Sequence, residues 1–186
     1  MNEEVLNILT RPLGRNWSVQ GLGMMRLYLN ETQRLHIWNS SLMVYEVTQR
    51  HDHPWNFTSE VIFGAMHQTR ATEVTPSKTG EWVKQRVQCG EGGGLDGEPE
   101  LVDIRMGEIE TYYEGYSYSQ KAHEVHDSFP LNNTVTIVTR EYLEDNTHAN
   151  VYFLKRGEFV SAEPRRASRA EILFITREVL HAYQES

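Results

Sequence analysis

The residues with the clearest chemical potential in this chain are the two histidines of Arg50-His51-Asp52-His53-Pro54-Trp55-Asn56-Phe57. Side chains at i and i+2 of an extended segment lie on one face, roughly 6 to 7 Å apart along the chain. Rotamer choice then brings both imidazoles to one divalent metal at about 2.1 Å. A pair needs a third ligand from elsewhere. His123 is the expected one: it precedes the strongly β-forming run Thr134 to Thr139 and shares a face with Val125. His126 is three positions on, so on an extended strand it points away from His123, and a local turn would reverse that choice.

The elements that would position these side chains read mostly as strands. From Leu42 to His53 the odd positions are Met43, Tyr45, Val47, Gln49, His51 and His53, while charges gather on the even side at Glu46, Arg50 and Asp52. The parity turns both histidines inward with Tyr45 and Gln49, which become candidate substrate-pocket residues. Arg50 and Asp52 face away and read as structural. Glu60, an odd number of residues beyond Phe57, falls on the outer face of an unbulged strand.

Further strands are expected at Arg26–Leu29 and Arg34–Trp38 around a 30–33 loop, then at Phe57–Phe63, Gln68–Val74 and Trp82–Val87. Others follow at Leu101–Arg105, Glu108–Tyr113, Tyr116–Tyr118, Thr134–Thr139 and Val151–Leu154. The Gly-rich 90–97 stretch reads as a connection, because no Lys-Ser/Thr follows it as a phosphate loop would require. Helices are confined to the ends. Asn2 to Leu9 forms a short one before Pro12. Ile172, Ile175, Val179 and Tyr183 form the stripe of a second over about 168–184, with Ser168 and Glu171 spaced as a capping box. Many short strands with terminal helices predict an all-β closed sandwich or barrel over about 24–157, within a single domain 1–186.

Bulk properties narrow the function. With 18 basic and 26 acidic residues the formal charge is -8, and the basic residues are scattered, so neither nucleic acid nor an anionic membrane is an expected partner. There is no apolar run long enough to span a bilayer and no basic-then-apolar leader pattern. One cysteine, Cys89, forms no internal disulfide, and a cytoplasmic setting is the expectation.

His51-Asp52-His53 with Gly64 downstream resembles the first motif of the cupin superfamily, and HDHPWNF is similar to a group of cupin-like proteins carrying His-x-His-Pro-Trp-x-Phe. Lys121-Ala122-His123-Glu124-Val125-His126 corresponds to the second motif, without its usual Pro-x-Gly. The resemblance covers about Leu42 to Arg140. It implies a cupin-type double-stranded β-helix, or jelly-roll barrel, and a homodimer. Phe57 stands where the motif's metal-binding Glu belongs, which implies a three-histidine centre of His51, His53 and His123, as in the thiol dioxygenase branch, with an apolar wall. Three neutral ligands leave the metal its full charge and favour a small anionic molecule as partner. The expected cofactor is Fe(II), with Zn, Ni or Mn as alternatives, and the expected activity is a non-haem-iron dioxygenase. A metal-dependent isomerase or lyase of sugars or keto acids and a non-catalytic metal- or ligand-binding barrel are the rival readings.

Overall fold

A computed structural model describes residues 1–44, 49–74, 78–88, 94–143, 148–157, 160 and 164–186. Tyr45, Val47 and Cys89 lie outside the described residues, as does much of the Gly-rich connection. The chain begins with helix α1 (Glu3–Thr10) and ends with α2 (Arg169–Gln184). Between them run β1 (Ser18–Gln20), β2 (Leu22–Tyr28), β3 (Gln33–Met43), β4 (Trp55–Phe63), β5 (Ala65–Val74) and β6 (Trp82–Gln88). Then follow β7 (Leu95–Tyr113), β8 (Ser117–Gln120), β9 (Val125–Pro130), β10 (Thr134–Tyr142), β11 (His148–Leu154) and β12 (Arg165–Arg166).

The strands form two antiparallel sheets, ordered β12-β1-β2-β3-β10-β4-β8 and β11-β6-β7-β5-β9. Of the expected all-β closed sandwich or barrel, the sandwich stands and the closure does not: the hydrogen-bonded ladders make two separate sheets. Alternation along β2, β3 and β10 assigns each sheet face its job. Met25, Leu27, Leu35, Ile37 and Val135 turn outward and are buried under Val5, Ile8 and Leu9 of α1 and Ile172, Ile175 and Val179 of α2. Full burial of each such aliphatic side chain is worth about 1.5–3 kcal/mol. Met24, Trp38, Phe57, Val61 and Tyr118 turn the other way and meet Met66 of the second sheet, so this face is the interior of the sandwich.

The second helix begins with the capping box its sequence predicts, and the first begins one residue after its expected start, with Asn2 as its cap. The Asn2 side chain accepts from Val5 N at 2.9 Å, and Ser168 and Glu171 complete a reciprocal capping box. Gly64, between β4 and β5, has φ +82°, and a Cβ there would stand 2.7 Å from Thr134 Oγ1. Both facts require glycine at the point where the chain leaves one sheet for the other.

Two strand expectations need correction. The segment from Leu42 to His53 is not one strand: β3 stops at Met43, and His51 makes only isolated bridges. Leu101–Arg105 and Glu108–Tyr113 are parts of the single β7, which bulges where Thr69 and Ala71 of β5 pair with Ile109 and Met106. Gly107 sits in that bulge because a Cβ would stand 2.9 Å from Arg70 O. Among the described residues no helix is long and apolar enough to cross a membrane.

Candidate metal centre

The histidine segment is held by backbone on both sides. His51 exchanges hydrogen bonds with His126 of β9, its N–H reaching His126 O at 3.3 Å and its O accepting from His126 N at 3.0 Å. On the other flank, Asp52 N donates to Asn150 O at 3.0 Å, and Tyr152 N donates to Arg50 O at 2.9 Å. The segment thus bridges β9 and β11, the edge strands of the five-stranded sheet.

Even-numbered residues do the fastening, as their parity predicts. Asp52, 1% exposed, accepts from Asn150 N and from Asn150 Nδ2, each at 2.7 Å. Arg50 pairs with Asp127 through Nη2 at 2.6 Å and Nε at 3.1 Å, and its guanidinium lies 4.2 Å from the Trp82 ring centroid. Asp127 follows His126 directly, so this buried ion pair ties one histidine-bearing segment to the other. Leaving either charge alone there would be strongly unfavourable.

Side chains from the two segments converge. His51, His53 and His126 each present a ring nitrogen, and the three lie within 4.8 Å of one another. Ring centroids are 4.7 Å apart for His51–His53, 4.7 Å for His51–His126 and 5.1 Å for His53–His126. A shared metal needs nitrogens roughly 3.0–3.4 Å apart for bonds of about 2.1 Å, which small rotations of the rings supply. His126, rather than His123, completes the trio. The reason is local: residues 121–124 form a turn, His123 takes φ +61°, and the extended geometry that favoured His123 begins only at Val125. His123 stays close, its N–H donating to His53 O at 2.9 Å, but its side chain is 44% exposed and its Nδ1 lies 3.6 Å from Asp52.

On His51 and His126 a second ring nitrogen also has a partner, as bound metals require of their imidazoles. His51 Nδ1 lies 2.7 Å from Gln49 O. A carbonyl only accepts, so Nδ1 carries a proton, which leaves Nε2 as the nitrogen that can bind a metal. Gln49 therefore meets the site through its backbone carbonyl, while its side-chain amide contacts Met43 Sδ at 3.8 Å. His126 Nδ1 lies 2.6 Å from Gln120 Nε2 and 3.4 Å from Glu124 O. Gln120 is in turn held by Gln68 Nε2, which donates to its Oε1 at 2.6 Å. With Gln120 Nε2 donating to it, His126 Nδ1 accepts and the ring's proton sits on Nε2. Coordination through Nε2 would move that proton to Nδ1, with Glu124 O as its acceptor and the Gln120 amide turned away. Neither Gln120 nor Gln68 is marked by the sequence motif. Gln68 did fall in an expected strand, but its register against β9 is a non-local fact.

The environment keeps His53 and His126 neutral, the form that binds metal. Burial, then the neighbouring His51 and His126, holds His53 well below the ordinary histidine range. Burial and His51 do the same for His126. The remaining walls are aromatic. Trp55 stacks on His53 at 5.2 Å, and Phe57 lies edge-on to His53 at 5.4 Å and 6.0 Å from His126. Phe57 is thus an apolar neighbour of the centre, as its place in the motif implies, and Glu60 is exposed on the outer face. Donor type, neutrality and convergence all fit a divalent metal. Compared with protein-family models and with curated proteins, the chain matches none.

Proposed function

We propose that this chain is a mononuclear metalloprotein of the cupin type, acting as a non-haem-iron dioxygenase on a small anionic molecule. The observation that carries the reading is the convergence of three imidazoles without a carboxylate among them. Three nitrogen donors of this kind suit Fe(II) and leave room at the centre for other ligands. A bound iron would supply an undiminished double positive charge and redox chemistry with O₂.

The protein's own part is positional. Gln49 O fixes the His51 tautomer, and the Arg50–Asp127 pair holds the two histidine-bearing segments at constant separation. Phe57 and Trp55 exclude water from one side, which strengthens the attraction of an anion to the centre. The cupin assignment is supported by the His-x-His motif, the φ-positive Gly64 and the two-sheet architecture. The test is anaerobic loading with Fe(II), followed by an oxygen electrode and a panel of small thiols and carboxylic acids. The reading expects oxygen uptake that depends on one class of acid and vanishes in His126→Ala. Turnover of an acid without oxygen uptake, or no uptake with any acid by fully loaded protein, would overturn it.

A further inference from the structure

Three arginines enter the same interior from adjacent strands: Arg26 of β2, Arg34 of β3 and Arg140 of β10. Register places them together, since Arg26 pairs with His36, Tyr28 with Arg34 and Val138 with Arg34, while Arg140 lies one same-face position further along β10. Their guanidinium carbons stand 5.1, 4.8 and 5.6 Å from the single ring of Tyr28. Arg34 and Arg140 each also lie 5.4 Å from the Trp55 ring, the ring that stacks on His53. The arginine group and the histidine trio are thus two sides of one indole.

Among the described residues none of the three has a carboxylate within ion-pair distance, although the chain carries an acidic excess. Their Nε atoms are buried without hydrogen-bond partners, and so are both ring nitrogens of His36 beside them. Arg140, only 6% exposed, donates from Nη2 to Glu31 O at 2.8 Å. Burial, and then the charges of Arg140 and Arg26, pull Arg34 down to about 10, although Tyr28 acts the other way. Aromatic faces repay part of such clustering, at about 0.5–2 kcal/mol per contact, but they leave the N–H donors unmet. Arg140 is buried and Arg26 and Arg34 are half-buried, and three clustered cations whose buried Nε donors are idle call for an anion.

We propose that Arg26, Arg34 and Arg140 form a binding site for the oxyanion of a small molecule, a carboxylate or phosphoryl group, beside the histidine centre. The inference names the group that would anchor the anionic substrate of the proposed function, and it rests on that reading only for the anion's role there. The guanidinium forks take oxygen atoms in pairs, which a simple halide cannot supply. Arg140 also lines a cleft of about 520 Å³ with Phe57, Gln120, Arg70 and Lys121, in a wall that includes Glu124 and Glu141 as well. The cleft reaches Arg140 and Gln120, the residue that contacts His126, while the three histidines, Arg26 and Arg34 stand outside its lining.

The test uses metal-free full-length protein, so that anion binding is read apart from metal binding. Malonate and inorganic phosphate are titrated calorimetrically, with sodium chloride at matched ionic strength as control. At least one oxyanion should bind, and Arg34→Met and Arg140→Met should each weaken it by about tenfold or more while metal uptake stays intact. His126→Ala should lose the metal and keep the oxyanion. Should a methionine variant not fold, Arg34→Lys retains the charge and loses the fork, and it should weaken binding likewise. Malonate alone would identify a carboxylate site and phosphate alone a phosphoryl site. Binding of neither beyond chloride, or binding unchanged in the arginine variants, would overturn the proposal.

Discussion

Replacing Asp52 by alanine should disorganise the metal centre without touching a ligand. The carboxylate is buried and accepts two hydrogen bonds of 2.7 Å from Asn150, one from its backbone and one from its amide. Hydrogen bonds to a charged group contribute about 1.5–3 kcal/mol each, and deleting the acceptor leaves two donors without a partner in a closed space. The pair is not additive, and water entering the small cavity recovers part of the loss. An expected cost of about 2–4 kcal/mol follows. Asp52→Asn retains shape and one acceptor, so its cost should be about half. The assay is urea unfolding of metal-free protein at pH 7, with metal affinity measured in parallel. Because Asp52 lies between His51 and His53 and pins them to β11, the alanine variant should also bind metal at least about tenfold more weakly. A loss below about 0.5 kcal/mol with unchanged affinity would refute the claim that this carboxylate sets the histidine register.

Ser168→Ala removes the capping-box acceptor for Glu171 N and should cost about 1 kcal/mol in the same unfolding assay, leaving metal content unchanged. Acid should destabilise the metal-free protein. His36 and His126 are held below their unfolded value of about 6.5, so the unfolded chain binds more protons as pH falls. Their contribution is complete above about pH 6.5 and is lost below it, at about 1.4 kcal/mol per pH unit for each histidine, so stability should fall between pH 6.5 and 5. A flat unfolding free energy over that window would contradict the assignment of both rings as buried and neutral.

What the sequence revealed divides by range of interaction. The start of α2 was legible because its cap is local: Ser168 does its work within three residues. The inward set of the histidine segment was legible because parity is local too, and His51 and His53 do meet while Asp52 turns to Asn150. The third ligand was not. Choosing between His123 and His126 required knowing that a turn occupies 121–124, and His123 adopts its left-handed backbone with no glycine or asparagine to announce it. Strand β9, short and flanked by that turn, was missed for the same reason. The two-sheet arrangement and the arginine group depend on pairings across a hundred residues, such as Val138 with Arg34, and no periodicity within either strand reports them.

The central claim is that one metal is held by His51, His53 and His126. The direct measurement is elemental analysis of wild-type protein, His51→Ala, His126→Ala and His123→Ala, each loaded identically and freed of excess metal. The account predicts about one divalent metal per chain in the wild type and in His123→Ala, and little in the other two. Metal retained by His126→Ala, lost from His123→Ala or absent from the wild type would contradict it.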